Sequence, residues 1–195
     1  MDEVKTVVSR DGTPIAYARY GAGAADGPAV VLVDGGPRSA AGEAPLARLL
    51  SRSCRVFGYD RRGYGGAGCP VEREVEDLAA VLAAAGPGAA VHGSGAGGAL
   101  ALAAAAAGLP VAAVSVFEPS YEGPGAVPEV HARVLVVDGG ASPAPVRRAA
   151  RELSALLPRA RHRTLTGQTH EVAPHVLAPV LAEFVAEVAE AADAL

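Results

Sequence analysis

The chain has 195 residues, of which 50% are hydrophobic and 19% are charged, and its formal net charge at pH 7 is −4. This length and composition predict a single folded domain over residues 1–195 with a core of ordinary size. The acidic balance and the lack of a long basic run exclude the electrostatic pattern of a protein that binds nucleic acid or an anionic membrane, so we expect neither partner.

The amino terminus and the cysteines bear on the cellular compartment. MDEVKTVVSR opens with acidic residues and lacks the apolar core of a signal peptide. The most apolar run, Ala99–Phe117, is interrupted by Gly108 and Pro110, so it does not predict a membrane span. The spacing of Cys54 and Cys69 fits neither a CxxC motif nor a metal site. We therefore expect two free thiols and a cytoplasmic protein.

The first part of the chain predicts strands and helices in alternation. Lys5–Ser9 and Ile15–Tyr20 are β-prone runs joined by Asp11-Gly12, a dipeptide that favours a hairpin turn, so we expect an antiparallel edge. Ala29–Val33 is continuously apolar, which predicts a strand buried on both faces. The next predicted elements are a helix over residues 43–51, a strand at Arg55–Tyr59, and a helix that ends at Gly86-Pro87.

The second part continues this alternation. The strand Ala89–His92 runs through a glycine turn into the alanine-rich helix Ala96–Ala107, which Gly108 and Pro110 end. Glu118–Ala132 is rich in proline and glycine and predicts a loop. The other predicted elements are strands at Val111–Phe117, Arg133–Val137 and Arg161–Leu165, a helix with Val146, Ala150, Leu153 and Leu157 on one face, and a final amphipathic helix with Leu177, Val180, Leu181, Phe184 and Val188.

Alternating strands and helices predict the α/β class. The expected architecture is a mostly parallel sheet with helices on both faces. The glycine-rich loops all follow predicted strands, and such sheets bind their ligands at the carboxyl ends of the strands. We therefore look for the functional residues in these loops.

Four of the loop segments carry motifs: DGGP after the third strand, GYDRRGYG after the fourth, GSGAGG after the fifth, and GQTH before the last helix. In order and spacing they resemble the oxyanion loop, the D-x-R-G-x-G turn, the nucleophile elbow and the catalytic-histidine segment of the α/β-hydrolase superfamily. The resemblance covers nearly the whole chain. It implies the α/β-hydrolase fold.

The elbow departs from the family pattern at its nucleophile. Aligning Gly93 and Gly97 with the two glycines of G-x-S-x-G, followed by Gly98, puts Gly95 at the position of the catalytic serine. Ser94 lies one position early. For Ser94 to be the nucleophile, the turn would have to shift by one residue, with Ala96 at a position that favours glycine. An engineered replacement of a serine at Gly95 is a further alternative.

The resemblance carries over the base but not the acid of a catalytic triad. His170 matches the catalytic histidine, which implies a general base near neutral pH. The acid would follow Arg133–Val137, in GGASP, where Ser142 or a neighbour stands in place of aspartate. Asp138 is the only acidic residue there, about four positions early, and it is a candidate to orient His170.

The oxyanion loop departs from the pattern as well. Asp34 stands where the family has histidine, and at about 6 Å and an effective dielectric constant near 20 its charge would oppose a developing oxyanion by roughly 3 kcal/mol. Asp34 is therefore either a working acid or base itself, or a cap of the helix that follows. The backbone N–H groups of Gly36 and Ala96 remain candidate oxyanion donors, because glycine in place of a nucleophile leaves them unchanged.

The segment Glu118–Ala132 is short where family members commonly insert a helical cap. We expect no cap domain and an open, hydrated site, unless a second copy of the chain or another protein covers it. Such a site suits a small-molecule substrate that is large or bound to a carrier protein. Glu118 and Tyr121, at the rim, are either contacts for this substrate or ordinary surface residues.

Three functions are compatible with these residues. In the first, the enzyme uses His170, with Asp34 or Glu118 as candidate partners, for acid/base chemistry on a carbonyl-containing small molecule; cyclisation, isomerisation and elimination fit, and no cofactor or metal is expected. In the second, it transfers or hydrolyses an acyl group from an ester or a carrier-bound thioester, through Ser94 or through water activated by His170. In the third, it is a non-catalytic binding protein.

Overall fold

A computed structural model of the chain describes residues 2–21, 26–35, 40–62, 69–121, 123 and 129–194. Within these residues the chain forms eight strands and five α-helices. The strands are β1 (Glu3–Val8), β2 (Pro14–Tyr20), β3 (Ala29–Val33), β4 (Arg55–Tyr59), β5 (Ala90–Ser94), β6 (Ala113–Phe117), β7 (Arg133–Gly139) and β8 (Ala160–Leu165). The helices are α1 (Ala44–Leu50), α2 (Val71–Ala85), α3 (Gly95–Ala106), α4 (Ala144–Leu156) and α5 (Pro174–Asp193), and a 3-10 helix at Ala40–Glu43 precedes α1.

The strands form one sheet in the order β1-β2-β4-β3-β5-β6-β7-β8. β1 pairs with β2, and β2 with β4, in antiparallel fashion, whereas the other neighbours are parallel. Gly12, in the turn between β1 and β2, has φ +87°, a conformation that glycine adopts readily. The structure confirms the antiparallel edge and the mostly parallel sheet.

Helices cover both faces of the sheet. The alternation of side chains along each strand divides the buried residues into two clusters; Val31 of β3 belongs to one and Leu32 to the other. The first cluster includes Leu78 of α2, Leu100 of α3 and Leu153 of α4. The second includes Leu46 and Leu50 of α1 and Leu177, Leu181 and Phe184 of α5. The predicted layers are confirmed.

Two strands extend beyond their predicted ends, and both extensions affect the site. β5 continues to Ser94, so the chain turns into α3 directly at Gly95. β7 continues to Gly139, because Asp138 and Gly139 pair with Thr164 and Leu165 of β8.

Among the described helices, none combines the length and the apolar character that crossing a membrane requires.

Candidate active site

The turn between β5 and α3 has Gly95 at its centre. Gly95 has φ +50°, a left-handed conformation, and is the first residue of α3. The flanking glycines allow close backbone contacts: a Cβ atom on Gly93 would lie 2.3 Å from the carbonyl oxygen of Gly97, and one on Gly97 would lie 2.2 Å from that of Val33. No residue with a side chain fits at either position without a shift of backbone. These contacts match the alignment that puts Gly95 in the turn.

Ser94 lies in the strand and not in the turn. It is the last residue of β5, with φ −104° and ψ 144°, which is extended backbone. The shifted register, in which Ser94 would take the turn position, is therefore wrong. The two tight glycine contacts fix the register, because Ala96 would have to replace Gly97 as the residue packed against β3.

The described part of the site is centred on a hydrogen bond between His170 and Glu118. His170 lies in the loop between β8 and α5, and its Nδ1 is 2.9 Å from Oε2 of Glu118. Since an ionised carboxylate only accepts, the Nδ1–H group donates, which leaves the lone pair of Nε2 free in the neutral imidazole. The Glu118 side chain is 1% exposed and that of His170 is 69% exposed. This pair has a buried anion and an accessible base.

Backbone and side-chain donors hold the other oxygen of Glu118. Oε1 accepts from the backbone N–H of Gly139 at 2.9 Å and from the hydroxyl of Ser142 at 2.5 Å. Glu118 follows β6 directly and has φ +42°, which makes it the only described residue other than glycine with positive φ. Such a conformation is costly and is found where the surroundings hold it in place.

The His170 ring lies beside the position where the turn lacks a side chain. A Cβ atom built on Gly95 would be 3.8 Å from Cε1 of His170, which is ordinary contact distance. The structure thus brings Glu118, His170 and Gly95 together, on loops that follow three different strands. Among the described residues, a buried acid and a histidine are thus hydrogen-bonded beside a turn position that has no side chain.

Comparison with known proteins identifies the family. The sequence model described as the alpha/beta hydrolase family matches residues 14–195. The chain belongs to the alpha/beta hydrolase family. No curated protein matches the chain.

Solved structures of several hydrolases share the fold. An alpha/beta hydrolase from Sphaerobacter thermophilus DSM 20745 is 37% identical, with a TM-score of 0.80, over 92% of this chain and 99% of its own. An esterase from Rhodococcus sp. ECU1013 is 20% identical, with a TM-score of 0.76, over 95% and 99%. A naproxen esterase from Bacillus subtilis is 13% identical, with a TM-score of 0.77, over 94% and 91%. The likeness to the two esterases shows the fold alone.

Asp138 is not the residue that orients His170 in this alpha/beta hydrolase. Its side chain is fully buried, and its Oδ2 accepts from Nε2 of His162 at 3.0 Å. The prediction failed because β7 continues past Asp138, so the side chain follows the alternation of the strand and faces His162 on the neighbouring β8.

The sequence predicts Glu118 and Tyr121 at the rim of the site, but the structure buries the polar group of each side chain. Glu118 is buried and bonded to His170. Tyr121 packs partly buried against the cluster beneath α2, α3 and α4, and its hydroxyl oxygen is buried without a hydrogen-bond partner among the described residues. The hydroxyl of Tyr121 is therefore not presented to a ligand at the surface.

Asp34 follows β3 on the loop that packs against the turn. Its carbonyl oxygen accepts from Nη1 of Arg61 at 2.9 Å, and Arg61 is itself held by Glu74 at 3.0 Å. Burial, and then the negative charge of Asp34, raise the pKa of Glu43 to about 7. Glu43, and not Asp34, is the residue that precedes α1. The alternative that Asp34 caps α1 is wrong, and its role as an acid or base stays a prediction.

Of the two predicted oxyanion donors, one is described. Ala96 is the second residue of α3, so its N–H group lies in the first helical turn, where no acceptor exists within the helix. A Cβ atom on Gly35 would lie 2.0 Å from the carbonyl oxygen of Ser94, so the loop after β3 lies against the turn. Gly36 lies outside the described residues.

The segment between β6 and β7 has no helix in its described part, residues 118–121, 123 and 129–132.

Among all the residues that the structure describes, no group of three or more His, Cys, Asp or Glu side chains is placed to hold a metal ion.

From the sequence, the triad acid is expected after β7, and Glu118 is only one of two candidate partners of His170, the other being Asp34. The available signal was position: Glu118 directly follows an apolar strand, at the sheet edge where functional residues collect.

Proposed function

We propose that this alpha/beta hydrolase catalyses proton transfer on a carbonyl-containing small molecule, with His170 as the base and Glu118 as its partner, and without a covalent intermediate. The observation that carries the proposal is the hydrogen bond from His170 to a buried carboxylate beside a turn whose central residue, Gly95, has no side chain. The base is oriented as in a triad, and the turn position beside it, Gly95, supplies no hydroxyl for it to activate.

The chemistry follows from the hydrogen bonds. Nε2 of His170 takes a proton from the substrate, at a carbon next to the carbonyl group or at a hydroxyl. The carboxylate of Glu118 stabilises the imidazolium that forms, and the N–H group of Ala96 is placed to donate to the carbonyl oxygen as negative charge develops. The imidazolium then returns the proton to the product. In isomerisation the proton returns to a different carbon of the substrate. In cyclisation the deprotonated hydroxyl oxygen adds to the carbonyl carbon, and the carbonyl oxygen takes the proton. In elimination the electron pair of the broken C–H bond forms the double bond, and the leaving group departs with the proton.

The rate enhancement expected from a positioned base is large enough for such reactions. A positioned acid or base contributes typically about 10²–10⁴-fold. The exposure of His170 admits water, which weakens electrostatic stabilisation in the site. The proposal therefore applies to substrates that react readily once they are positioned.

Hydrolysis by water is the second candidate, and membership of the alpha/beta hydrolase family favours it. Here the water would lie over Gly95, lose a proton to Nε2 of His170, and attack the acyl carbon of an ester or carrier-bound thioester; the acyl C–O or C–S bond then breaks, and the imidazolium gives its proton to the leaving alkoxide or thiolate. Such a site keeps only about 10³–10⁴-fold over the uncatalysed reaction from its oxyanion donors and from binding. Rates for unactivated esters should accordingly be low.

The test compares proton exchange with hydrolysis. Enolisable ketones in D₂O are followed by NMR for exchange of the hydrogens next to the carbonyl group, and ester and thioester panels are followed for hydrolysis. We expect His170→Ala to lower the exchange rate by on the order of 10²-fold or more. Ser94→Ala should stay close to the unmodified protein.

Glu118→Gln should also lower the rate, by about 10²–10⁴-fold, because an amide favours the wrong imidazole tautomer. Asp138→Asn is the matched control, since Asp138 is a second buried carboxylate bonded to a histidine that is not His170. Equal rates for the unmodified protein and His170→Ala in every assay would overturn the proposal. Hydrolysis without exchange would favour the second candidate.

A further inference from the structure

We propose that Ser142 is a positioning residue, whose hydroxyl fixes the carboxylate of Glu118 so that one oxygen always faces His170. The inference rests on the proposed function of the Glu118 and His170 pair. Ser142 lies in the turn between β7 and α4, at the position where the family resemblance places the acid of the triad.

The hydrogen bonds divide the two oxygens of Glu118 between different partners. Ser142, which is itself buried, and the backbone N–H of Gly139 both donate to Oε1, and His170 bonds to Oε2. A carboxylate that accepts two bonds at one oxygen is fixed about its last torsion angle, so Oε2 cannot turn away from the imidazole. The bonds are charge-assisted, which makes them stronger than neutral ones.

Glu118 needs this support more than an aspartate would. A glutamate side chain has an extra rotatable bond, and its ordering costs more conformational entropy. The backbone of Glu118 is already in a left-handed conformation. A buried charged group with a missing donor is also costly in free energy. The hydrogen bond from the hydroxyl of Ser142 offsets part of these three costs: the ordering of the side chain, its left-handed backbone and the burial of its charge.

The turn that carries Ser142 is joined to the loop that carries His170. The backbone N–H of Gly140 donates to the carbonyl oxygen of Leu165 at 2.8 Å, and that of Ala141 donates to Gln168 at 2.8 Å. A Cβ atom on Gly139 would lie 2.4 Å from the same Gln168 oxygen, so the two segments are in close contact. Ser142 therefore connects the end of β6 to a unit that already holds His170.

The consequence is a division of one role between two positions. The charge comes from Glu118 after β6, and the position after β7, occupied by Ser142, supplies the hydrogen bond that aims this charge. Replacement of the hydroxyl should affect the reaction through His170 without removing any group that touches the substrate.

Three variants test this, each assayed for ketone exchange and by proton NMR for the downfield signal of the His170 Nδ1–H group. Ser142→Ala should lower kcat roughly tenfold, the size expected for one lost bond to a charged group, with KM within about twofold. Its Nδ1–H signal should broaden or vanish through exchange with water. Ser142→Thr keeps the hydroxyl and should keep both the rate and the signal.

Ser142→Cys separates hydrogen bonding from packing, since a thiol has a similar shape but is a weak donor. It should behave like Ser142→Ala, and the comparison with Ser142→Thr decides the matter even if Ser142→Ala fails to fold. The matched control is Ser115→Ala, which removes a buried hydroxyl that bonds to His92 and not to Glu118. This control should keep the signal and the rate.

A Ser142→Cys protein that keeps the signal and the kcat of the unmodified protein would overturn the inference. The NMR signal does not depend on turnover. If the unmodified protein shows the signal but no activity, the proposed function fails while the role of Ser142 is still decided by the signal in the variants.

Discussion

The backbone of Gly95 has the conformation of a nucleophile turn although the residue has no side chain. A left-handed φ costs most residues about 1–2 kcal/mol, and glycine avoids that cost. The glycines on either side of it, Gly93 and Gly97, pack against backbone atoms, and these contacts hold the shape of the turn in addition to the central residue. The turn therefore has this geometry with glycine at its centre.

Glu118 illustrates what a single sequence does not reveal. It is 52 residues from His170 along the chain, and no local pattern says which acidic side chain will reach the imidazole. Ser142 stands at the expected acid position and Asp138 lies nearby, so the sequence favours an acid after β7. Only the lateral order of β6, β7 and β8 brings Glu118 between the two loops.

His92 allows a prediction for stability at the residue scale. It is buried, with Nδ1 2.8 Å from the hydroxyl of Ser115, and burial lowers its pKa to about 4. Between pH 6.5 and 4 the unfolded chain gains a proton at this residue that the folded chain does not. Stability therefore falls as the pH decreases through this range, by about 3 kcal/mol in total.

Urea unfolding at several pH values measures this loss. His92→Gln should show a smaller decrease between pH 6.5 and 4 than the unmodified protein. The control is His131→Gln, at an exposed histidine, which should keep the original dependence on pH. An unchanged dependence in His92→Gln would contradict the assignment.

At the scale of elements, close packing of α3 on β3 and β5 holds the turn. Gly97→Ala would place a methyl group 2.2 Å from the carbonyl oxygen of Val33, and Gly93→Ala would place one 2.3 Å from that of Gly97. Since both neighbours are backbone atoms, each variant should lose about 3 kcal/mol of unfolding free energy. Thermal or urea unfolding measures the loss.

Gly98→Ala provides the graded comparison for this prediction. Its Cβ atom would lie 3.0 Å from the carbonyl oxygen of Gly93 and from a side-chain carbon of Pro119, so a small adjustment is enough. We expect a loss of about 1 kcal/mol. Equal losses in all three variants would mean that the helix does not depend on these contacts.

The elements themselves were accessible from the sequence. Apolar β-branched runs such as Ala29–Val33 have few alternatives to a buried strand, and the glycines of the elbow gave the correct register. The errors in the predicted elements lay at the ends of strands. β7 extends over Asp138 because β8 offers it pairing partners, and that is a property of the sheet and not of the segment.

At the scale of the whole molecule, the sheet order assembles the site. β5, β6, β7 and β8 are parallel neighbours, so their carboxyl ends meet at one edge and bring together residues from Gly95 to His170. The base lies at this edge with most of its side chain exposed.

In the described part of the site, an oriented base lies beside a turn position that has no nucleophilic side chain. The most direct measurement is the intact mass of the protein after incubation with a fluorophosphonate, which labels activated serines. The unmodified protein should gain no adduct. Gly95→Ser should gain one, because its side chain would lie beside His170, and Gly95→Ser combined with His170→Ala should lose it. A stoichiometric adduct on the unmodified protein that disappears in Ser94→Ala would contradict this assignment and make Ser94 the nucleophile.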